Sequence, residues 1–189
     1  MYFINKMESK NSKQEQFKDI IKLIESKNYT EAKDLLNKLL DKKKDDFYIY
    51  QLLGIISQYT GNLEESIYNF NLSLSMMPKN AGVLYNLGII NRRLNNLEKA
   101  KECFFKSLEI NPSFIDGYIN IAQIFEKEKK IFDADNYFQK AFSIKKDHPT
   151  LNRAYAKFLF NIGELKKGLS YMYKNFGYIR FGKSNVEIN

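Results

Sequence analysis

The sequence predicts an all-α protein in which antiparallel helix pairs stack into a solenoid. Gly and Pro, the residues that most often interrupt helices, number only 9 and 3 among 189 residues. Turn-like segments recur every 34 residues, with apolar residues at helical spacing between them. Small and large side chains also return at fixed positions of that period. Together these observations indicate a repeated pair of helices rather than a sheet.

The turn segments fix the phase of the repeat. GNLEES at 61–66 and NNLEKA at 95–100 begin 34 residues apart, and GELKKG at 163–168 begins two periods after the second. KKIFDA at 129–134 supplies the intervening turn, and KNYTEA at 27–32 lies one period before the first. We therefore expect a flexible N-terminal arm, five repeats that form one solenoid, and a C-terminal tail. The expected ranges are 1–12 for the arm, 13–176 for the solenoid, with repeats at 13–46, 47–80, 81–114, 115–148 and 149–176, and 177–189 for the tail.

Columns of small and large side chains explain how each helix pair closes. Position 8 is small in four of the five repeats, position 20 is small in all five, and position 24 is always large and apolar. In repeat three these positions hold Gly88, Ala100 and Phe104. Small residues let two helix backbones approach, and the large residue fills the space beside them. One pair cannot bury both of its faces, so neighbouring pairs are expected to stack.

Repeat one fits the period with a slip of one residue. Gln16 and Asp19 occupy positions where repeats two to four are apolar or aromatic. An apolar face is formed instead by Phe17, Ile20, Ile21 and Ile24. A terminal repeat has one face towards solvent, so an atypical pattern is expected there.

Two segments carry the pattern of a known family. VLYNLGIINRRLNNLEKAKECFFKSLEINP (83–112) and YIYQLLGIISQYTGNLEESIYNFNLSLSMMP (48–78) have an aromatic residue or Leu at position 4 and Leu-Gly at positions 7 and 8. They also have Ala or Ser at position 20, Phe at position 24 and Pro at position 32. These segments resemble tetratricopeptide repeats, and the resemblance extends over about 13–176. It implies a right-handed superhelical solenoid that acts as a protein–protein interaction scaffold.

The resemblance also implies which residues face a partner. In this family the first helix of each pair lines a concave groove, which would hold an extended peptide or a helix of another protein. Asn86 and Asn120 share position 6, where an amide can bond to a peptide backbone. The alternative is that these two amides only satisfy local polar groups. The expected partner-binding residues are Tyr48, Gln51, Ile55, Tyr59, Tyr85, Asn86, Ile89, Arg92, Arg93, Asn120, Gln123, Lys127, Arg153 and Lys157.

The groove positions lack the pattern of one class of family members. Members that bind chaperone C-terminal tails carry Lys and Asn, then Asn, then Lys and Arg, at fixed groove positions of three successive repeats. No register of three repeats in this sequence matches that pattern beyond its middle Asn. We therefore expect a partner other than a chaperone tail.

The formal net charge of +8 leaves two interpretations open. A basic surface could bind nucleic acid or an acidic membrane. Alternatively, the abundant Lys could simply solvate helix faces. Arg, which dominates specific recognition of phosphates and bases, occurs only at 92, 93, 153 and 180, which favours the second interpretation. Binding of nucleic acid, and docking to an enzyme as an accessory region, remain the alternative functions.

The sequence offers no pattern of catalytic or cofactor-binding residues. His148 is the only histidine and lies in the turn-like segment KKDHPT. Cys103 is the only cysteine, which excludes a disulfide within the chain and fits a reducing compartment. No apolar run reaches the length of a signal peptide or a spanning helix. We expect a cytoplasmic protein that is not an enzyme, uses no metal or cofactor and has no membrane partner.

The C-terminal tail is expected to form a short β-hairpin. YIRF and VEI flank the turn-like segment GKSN, and Gly177 can cap the preceding helix. Two strands alone are marginally stable, so they need a surface to pack on. Three roles stay open for this tail: it covers the end of repeat five, it docks on another subunit or domain, or it frays.

Overall fold

The described residues of the computed structural model fall into two compact units, of which the first ends at Ile110 and the second begins at Asn111. The predicted flexible arm at 1–12, the Gly177 helix cap and the GKSN segment lie outside the residues that the structure describes. The described residues are 13–41, 46–176, 179–181 and 186–188.

Each unit is built of helix pairs in which the first helix packs against the second. Every first helix begins on the first residue of a 34-residue block, and every second helix begins on the seventeenth. The first unit contains α1 (Lys13–Glu25), α2 (Tyr29–Leu40), α3 (Phe47–Tyr59), α4 (Leu63–Met76), α5 (Ala81–Arg93) and α6 (Leu97–Ile110). The second unit contains α7 (Ile115–Lys127), α8 (Ile131–Ile144), α9 (Pro149–Asn161), α10 (Leu165–Phe176), β1 (Ile179–Phe181) and β2 (Val186–Ile188).

The small and large columns interlock inside the pairs, as the sequence predicted. A Cβ atom on Gly54 would lie 2.6 Å from Cδ1 of Phe70, so the α4 ring fits only against a glycine. The Ser66 hydroxyl donates to the carbonyl oxygen of Gly54 across 2.7 Å, which brings positions 8 and 20 into direct contact. Phe104 and Phe138, at the same position as Phe70, are likewise fully buried. Close backbone approach therefore holds each pair together.

Every turn inside a pair contains one residue with left-handed backbone geometry. That residue stands at position 15 of the repeat, one residue beyond the position that follows the first helix. Glycine adopts a positive φ without penalty, whereas a side chain with a Cβ is strained there. The next backbone N–H closes the turn, as in the 2.8 Å bond from Asn96 N to Asn91 O. The left-handed residues are Lys27 (φ 65°), Gly61 (85°), Asn95 (61°), Lys129 (61°) and Gly163 (84°).

The last position of a repeat caps the first helix of the next one. The side chains of Asp46, Asn80 and His148 accept from backbone N–H groups in the first turns of α3, α5 and α9, at 3.1, 3.2 and 3.3 Å. Phe114 stands at the same position before α7 but provides no side-chain cap, and its ring is buried instead. Pro149 occupies the first turn of α9, as the sequence predicted.

The first unit buries the atypical apolar face of repeat one. Phe17, Ile20 and Ile24 pack with residues of α2 and α3 in one hydrophobic cluster. A second cluster is centred on Phe70 and includes Val83 of α5. The predicted slip of one residue therefore places the correct side chains in the core.

The second unit has an aromatic core between α8, α9 and α10. Tyr155 contacts the rings of Phe138, Phe142 and Tyr171, with ring centroids 5.2, 5.3 and 4.8 Å away. Its hydroxyl donates to Oδ1 of Asp135 across 2.7 Å. Burial is the largest cause that raises the pKa of Tyr155, and this hydrogen bond is the second. The helices that carry the groove described below are fixed by this core.

The two strands of the tail pair antiparallel, with Ile179 opposite Ile188 and Phe181 opposite Val186. The GKSN segment that the sequence predicted as their turn is outside the described residues. Over the described ranges, no helix is long and apolar enough to cross a membrane.

Candidate protein-binding groove

A groove of about 570 Å³ lies in the second unit, between α7, α9 and the turn that follows α7. Its two helices are the first helices of repeats four and five, the elements expected to face a partner. Polar, basic and apolar side chains share its surface. The lining residues are Gln123, Glu126, Lys127, Lys129, Ile131, Ala154, Lys157, Asn161 and Ile162.

Helical spacing explains why each helix contributes a strip of side chains to the groove. On α7, Gln123 precedes Glu126 by three residues and Lys127 by four, which places all three on one face. On α9, Lys157 follows Ala154 by three residues and therefore lies beside it on the same face. Each side of the groove thus carries one strip of side chains, which is polar on α7 and mixed polar and apolar on α9.

A hydrogen bond joins the two helices across one end of the groove. The Asn161 side-chain amide donates to Oε1 of Glu126 across 2.7 Å. Glu126 is thereby held against α9, and part of its hydrogen-bonding capacity is used inside the protein. This bond links α7 to α9 at the groove.

The lysines give the groove a positive character. Lys127, Lys129 and Lys157 line it together with a single carboxylate, that of Glu126. No carboxylate within the described ranges forms an ion pair with Lys129 or Lys157. In contrast, neighbouring Lys130 pairs with Oε2 of Glu128 at 2.9 Å. Lys129 and Lys157 therefore present uncompensated ammonium groups to a ligand that enters the groove.

The structure brings together three of the residues predicted to bind a partner, namely Gln123, Lys127 and Lys157. Two other predicted residues of this unit do not line the groove. Asn120 is 6% exposed, and its amide nitrogen donates to the carbonyl oxygen of Asp116 within α7 at 2.8 Å. Arg153 is exposed on α9.

Sequence reasoning missed Lys129, which the turn contributes to the groove, and Ile131, the first residue of α8. It also omitted Ala154, Asn161 and Ile162 of the second wall. Lys129 carried a usable signal, because its position holds Gly or Asn in three of the other repeats. Lys27 stands at the same position in repeat one, so only the groove around Lys129 distinguishes the two lysines.

In the first unit, several residues predicted to bind a partner also pack within the protein. Gln51 is 4% exposed, and its Oε1 accepts from the side-chain amide of Asn80 across 2.8 Å. The ring of Tyr48 meets that of Phe17 edge-on at 4.9 Å, and burial raises the pKa of Tyr48. Gln51 therefore supports the Asn80 cap of α5 and offers little surface to a partner.

The other aromatic residues predicted in this unit differ in exposure. Tyr85 is half-buried, with its ring centroid 5.5 Å from that of Phe104. Tyr59 is 54% exposed and stacks on Tyr29 at 5.6 Å. Both rings therefore combine an internal contact with some surface towards solvent.

The remaining predicted residues of the first unit lie at or near the surface. Ile55, Asn86 and Ile89 are half-buried, and Arg93 is exposed. Arg92 is half-buried, and burial lowers the pKa of its guanidinium.

In the described part of the chain, neither Cys103 nor His148 lines the groove. That part contains no group of three or more His, Cys, Asp and Glu side chains placed to hold a metal ion. Cys103 is a half-buried free thiol, and burial raises its pKa. His148 acts as a helix cap through Nδ1. The groove itself offers ammonium groups, amides and apolar contacts.

Comparison with known proteins supports this description. Residues 81–114 and 115–148 each match a model of the tetratricopeptide repeat. The chain is 31% identical over 130 residues to the photosystem I assembly protein Ycf3 of Synechococcus sp. (strain CC9902), covering 62% of this chain and 75% of the relative.

Solved structures show the same fold. PilF of Pseudomonas aeruginosa superposes with a TM-score of 0.76 at 18% identity, covering 86% of this chain and 74% of PilF. MamA of Desulfovibrio magneticus superposes with a TM-score of 0.71 at 13% identity, covering 88% and 94% of the two chains. The all-α class of stacked helix pairs predicted from the sequence is confirmed. The chain belongs to the tetratricopeptide repeat family.

Proposed function

We propose that this chain is a protein-interaction scaffold, without catalytic chemistry of its own, that binds an extended segment of a partner protein between α7 and α9. The observation that carries the proposal is the groove of about 570 Å³ lined by Gln123, Lys127 and Lys157, three residues expected to face a partner. The relation to Ycf3, which is named as an assembly protein, supports a role in holding other proteins.

The polar groups of the groove suit the backbone of an extended peptide. The Asn161 amide donates one N–H to Glu126 and keeps a second N–H and its oxygen, so it can still donate to and accept from a peptide backbone. An extended segment exposes these backbone groups, whereas a helix satisfies them internally. The Asn161 amide therefore favours an extended ligand over a helical one.

The apolar residues of the groove supply the remaining contact. Ile131 and Ile162 are partly exposed, and Ala154 between the polar side chains leaves room for a ligand. Burying an apolar side chain of the partner on this surface would contribute binding energy that does not depend on salt. The groove thus combines orientation by polar groups with affinity from apolar contact.

The test is a selection from a random peptide library with the full chain as bait. Peptides that bind should be measured by fluorescence anisotropy with the double variant Gln123→Ala/Lys157→Ala, which removes one polar side chain from each wall. We expect the affinity to fall by about tenfold, as for the loss of two polar contacts.

The matched control is Asn136→Ala/Lys146→Ala, which removes the same kinds of side chain from exposed positions outside the groove. This control should bind the selected peptides as the unmodified chain does. Equal affinity for all three proteins would show that the groove is not the binding surface, and the proposal would be abandoned.

A further inference from the structure

Lys129 stands in the groove at a position where the backbone disfavours a side chain. Its φ is 61°, a left-handed geometry that glycine adopts without strain. Gly61 and Gly163 occupy the same turn position in repeats two and five. The chain therefore places an ammonium group at the groove where a glycine would make a more stable turn.

The charges around Lys129 add to its own. Lys127 and Lys157 line the same groove, and the one carboxylate there, Glu126, already accepts a hydrogen bond from Asn161 at 2.7 Å. Neither Lys129 nor Lys157 forms an ion pair within the described ranges, so both add positive charge to the groove. An anionic ligand is attracted to such a site before contact and is held there after it.

The other lining residues decide which kind of anion fits. Ile131, Ala154 and Ile162 form an apolar part of the surface, and the described residues of the lining include no aromatic ring and no Arg. Single-stranded nucleic acids bind through base stacking on aromatic rings, and phosphate groups favour the forked donors of Arg. The groove places lysines beside aliphatic side chains. It is therefore complementary to a ligand that carries carboxylates next to aliphatic residues.

We propose that the groove between α7 and α9 selects an extended protein segment in which Asp or Glu residues flank an aliphatic residue, with Lys129 and Lys157 contacting the carboxylates. This inference rests on the proposed function and names the chemistry of the partner segment. Lys129 acts as a specificity-determining residue, because its ammonium group lies in the groove whereas that of Lys27 at the equivalent turn does not.

The test compares two fluorescein-labelled synthetic peptides, ESELLESE and its uncharged isostere QSQLLQSQ, by fluorescence anisotropy. The acidic peptide should bind about tenfold more tightly than the isostere at low salt, and high salt should remove most of this difference. Lys129→Glu/Lys157→Glu should lose this preference and bind the basic counterpart KSKLLKSK instead. Circular dichroism verifies that the variant is folded.

A second pair of variants separates the ammonium group from the turn. Lys129→Gly relieves the strained geometry, so it should unfold at a higher urea concentration while binding ESELLESE several-fold more weakly. Lys27→Gly relieves the equivalent turn in repeat one, where φ is 65°. It should gain stability in the same way and leave peptide binding unchanged.

Two results would overturn the inference. In the first, the chain binds ESELLESE and QSQLLQSQ with equal affinity, and both affinities are lost in Gln123→Ala/Lys157→Ala. The groove would then be a peptide-binding site without a preference for acidic segments. Tight binding of oligouridylate that is lost in Lys129→Glu/Lys157→Glu, without binding of ESELLESE, would assign the lysines to nucleic acid. If no selected library peptide lost affinity in Gln123→Ala/Lys157→Ala, the proposed function itself would be refuted.

Discussion

Gly88 of α5 lies directly under the ring of Phe104 of α6, so that a Cβ atom on Gly88 would be 2.5 Å from Cε1 of that ring. Phe104 has no measurable exposure, and its ring also meets that of Tyr85. Gly54 has the same relation to Phe70 one repeat earlier. The absence of a side chain at position 8 therefore creates the space into which position 24 packs.

Replacing Gly88 by Ala should destabilise the protein by roughly 1–3 kcal/mol, as overpacking of a filled core does. Urea unfolding followed by circular dichroism measures this difference. In Gly88→Ala/Phe104→Leu the smaller side chain makes room for the methyl group, so the double variant should lose less than the sum of the two single changes. An unchanged unfolding midpoint for Gly88→Ala would show that the two residues are not in tight contact.

Replacing Lys27 by Gly should stabilise the protein by up to about 1 kcal/mol, because glycine adopts the left-handed geometry without penalty but is more flexible in the unfolded chain. Gly61→Ala is the reverse change at the equivalent position and should destabilise by about the same amount. Open space surrounds Gly61, so only its φ of 85° opposes the added methyl group. Thermal unfolding of both variants tests the pair, and shifts of the same sign would refute the assignment of strain to position 15.

Replacing His148 by Ala should cost about 1 kcal/mol, because the Leu151 N–H loses the acceptor that caps α9. His148→Asn should retain most of that stability, since Asn80 caps α5 in the same way. The measurement is the free energy of unfolding in urea for the two variants. If Ala and Asn give the same value, the side chain at this position does not act as a cap.

The ion pair between Lys33 and Glu65 joins α2 to α4 at 2.6 Å and makes a pH-dependent contribution. The hydrogen bond from Lys33 holds the pKa of the Glu65 carboxyl below its usual value. A lowered folded-state pKa means that the contribution is present above the pKa of the unfolded chain and is lost as pH falls through the folded value. Both side chains are partly exposed, so the contribution at neutral pH should be below about 1 kcal/mol.

The check on this pair is the difference in unfolding free energy between the unmodified chain and Lys33→Met, measured against pH. It should be largest near neutral pH and shrink towards zero below about pH 4, where Glu is protonated in the unfolded chain. A difference that grows as the pH falls would contradict the assignment.

Most of the fold could be predicted from the sequence, because the spacing of residues within the repeat determines which side chains meet. Gly88 and Phe104 could be paired from the sequence because the same two residue types recur 34 residues earlier at Gly54 and Phe70. The face of Phe17, Ile20 and Ile24 could be found despite its slip, because helical periodicity survives a shift of register.

The candidate site could be predicted only in part, because its lining depends on contacts between helices. Gln51 stands at a position of α3 that was expected to face the groove. Its side-chain oxygen instead accepts a hydrogen bond from the Asn80 side chain. Asn120 satisfies a carbonyl of its own helix. Lys129 enters the groove because its turn folds back beside α7, a path set by its positive φ and not by helical periodicity.

The most direct test of this account is a titration of the uniformly ¹⁵N-labelled chain with ESELLESE, followed by amide chemical shifts. We expect the largest changes at Gln123, Lys129 and Lys157, with small changes at Asn136 and Lys146 outside the groove. Changes that are largest away from α7, α9 and the turn between α7 and α8 would contradict a partner site between these helices.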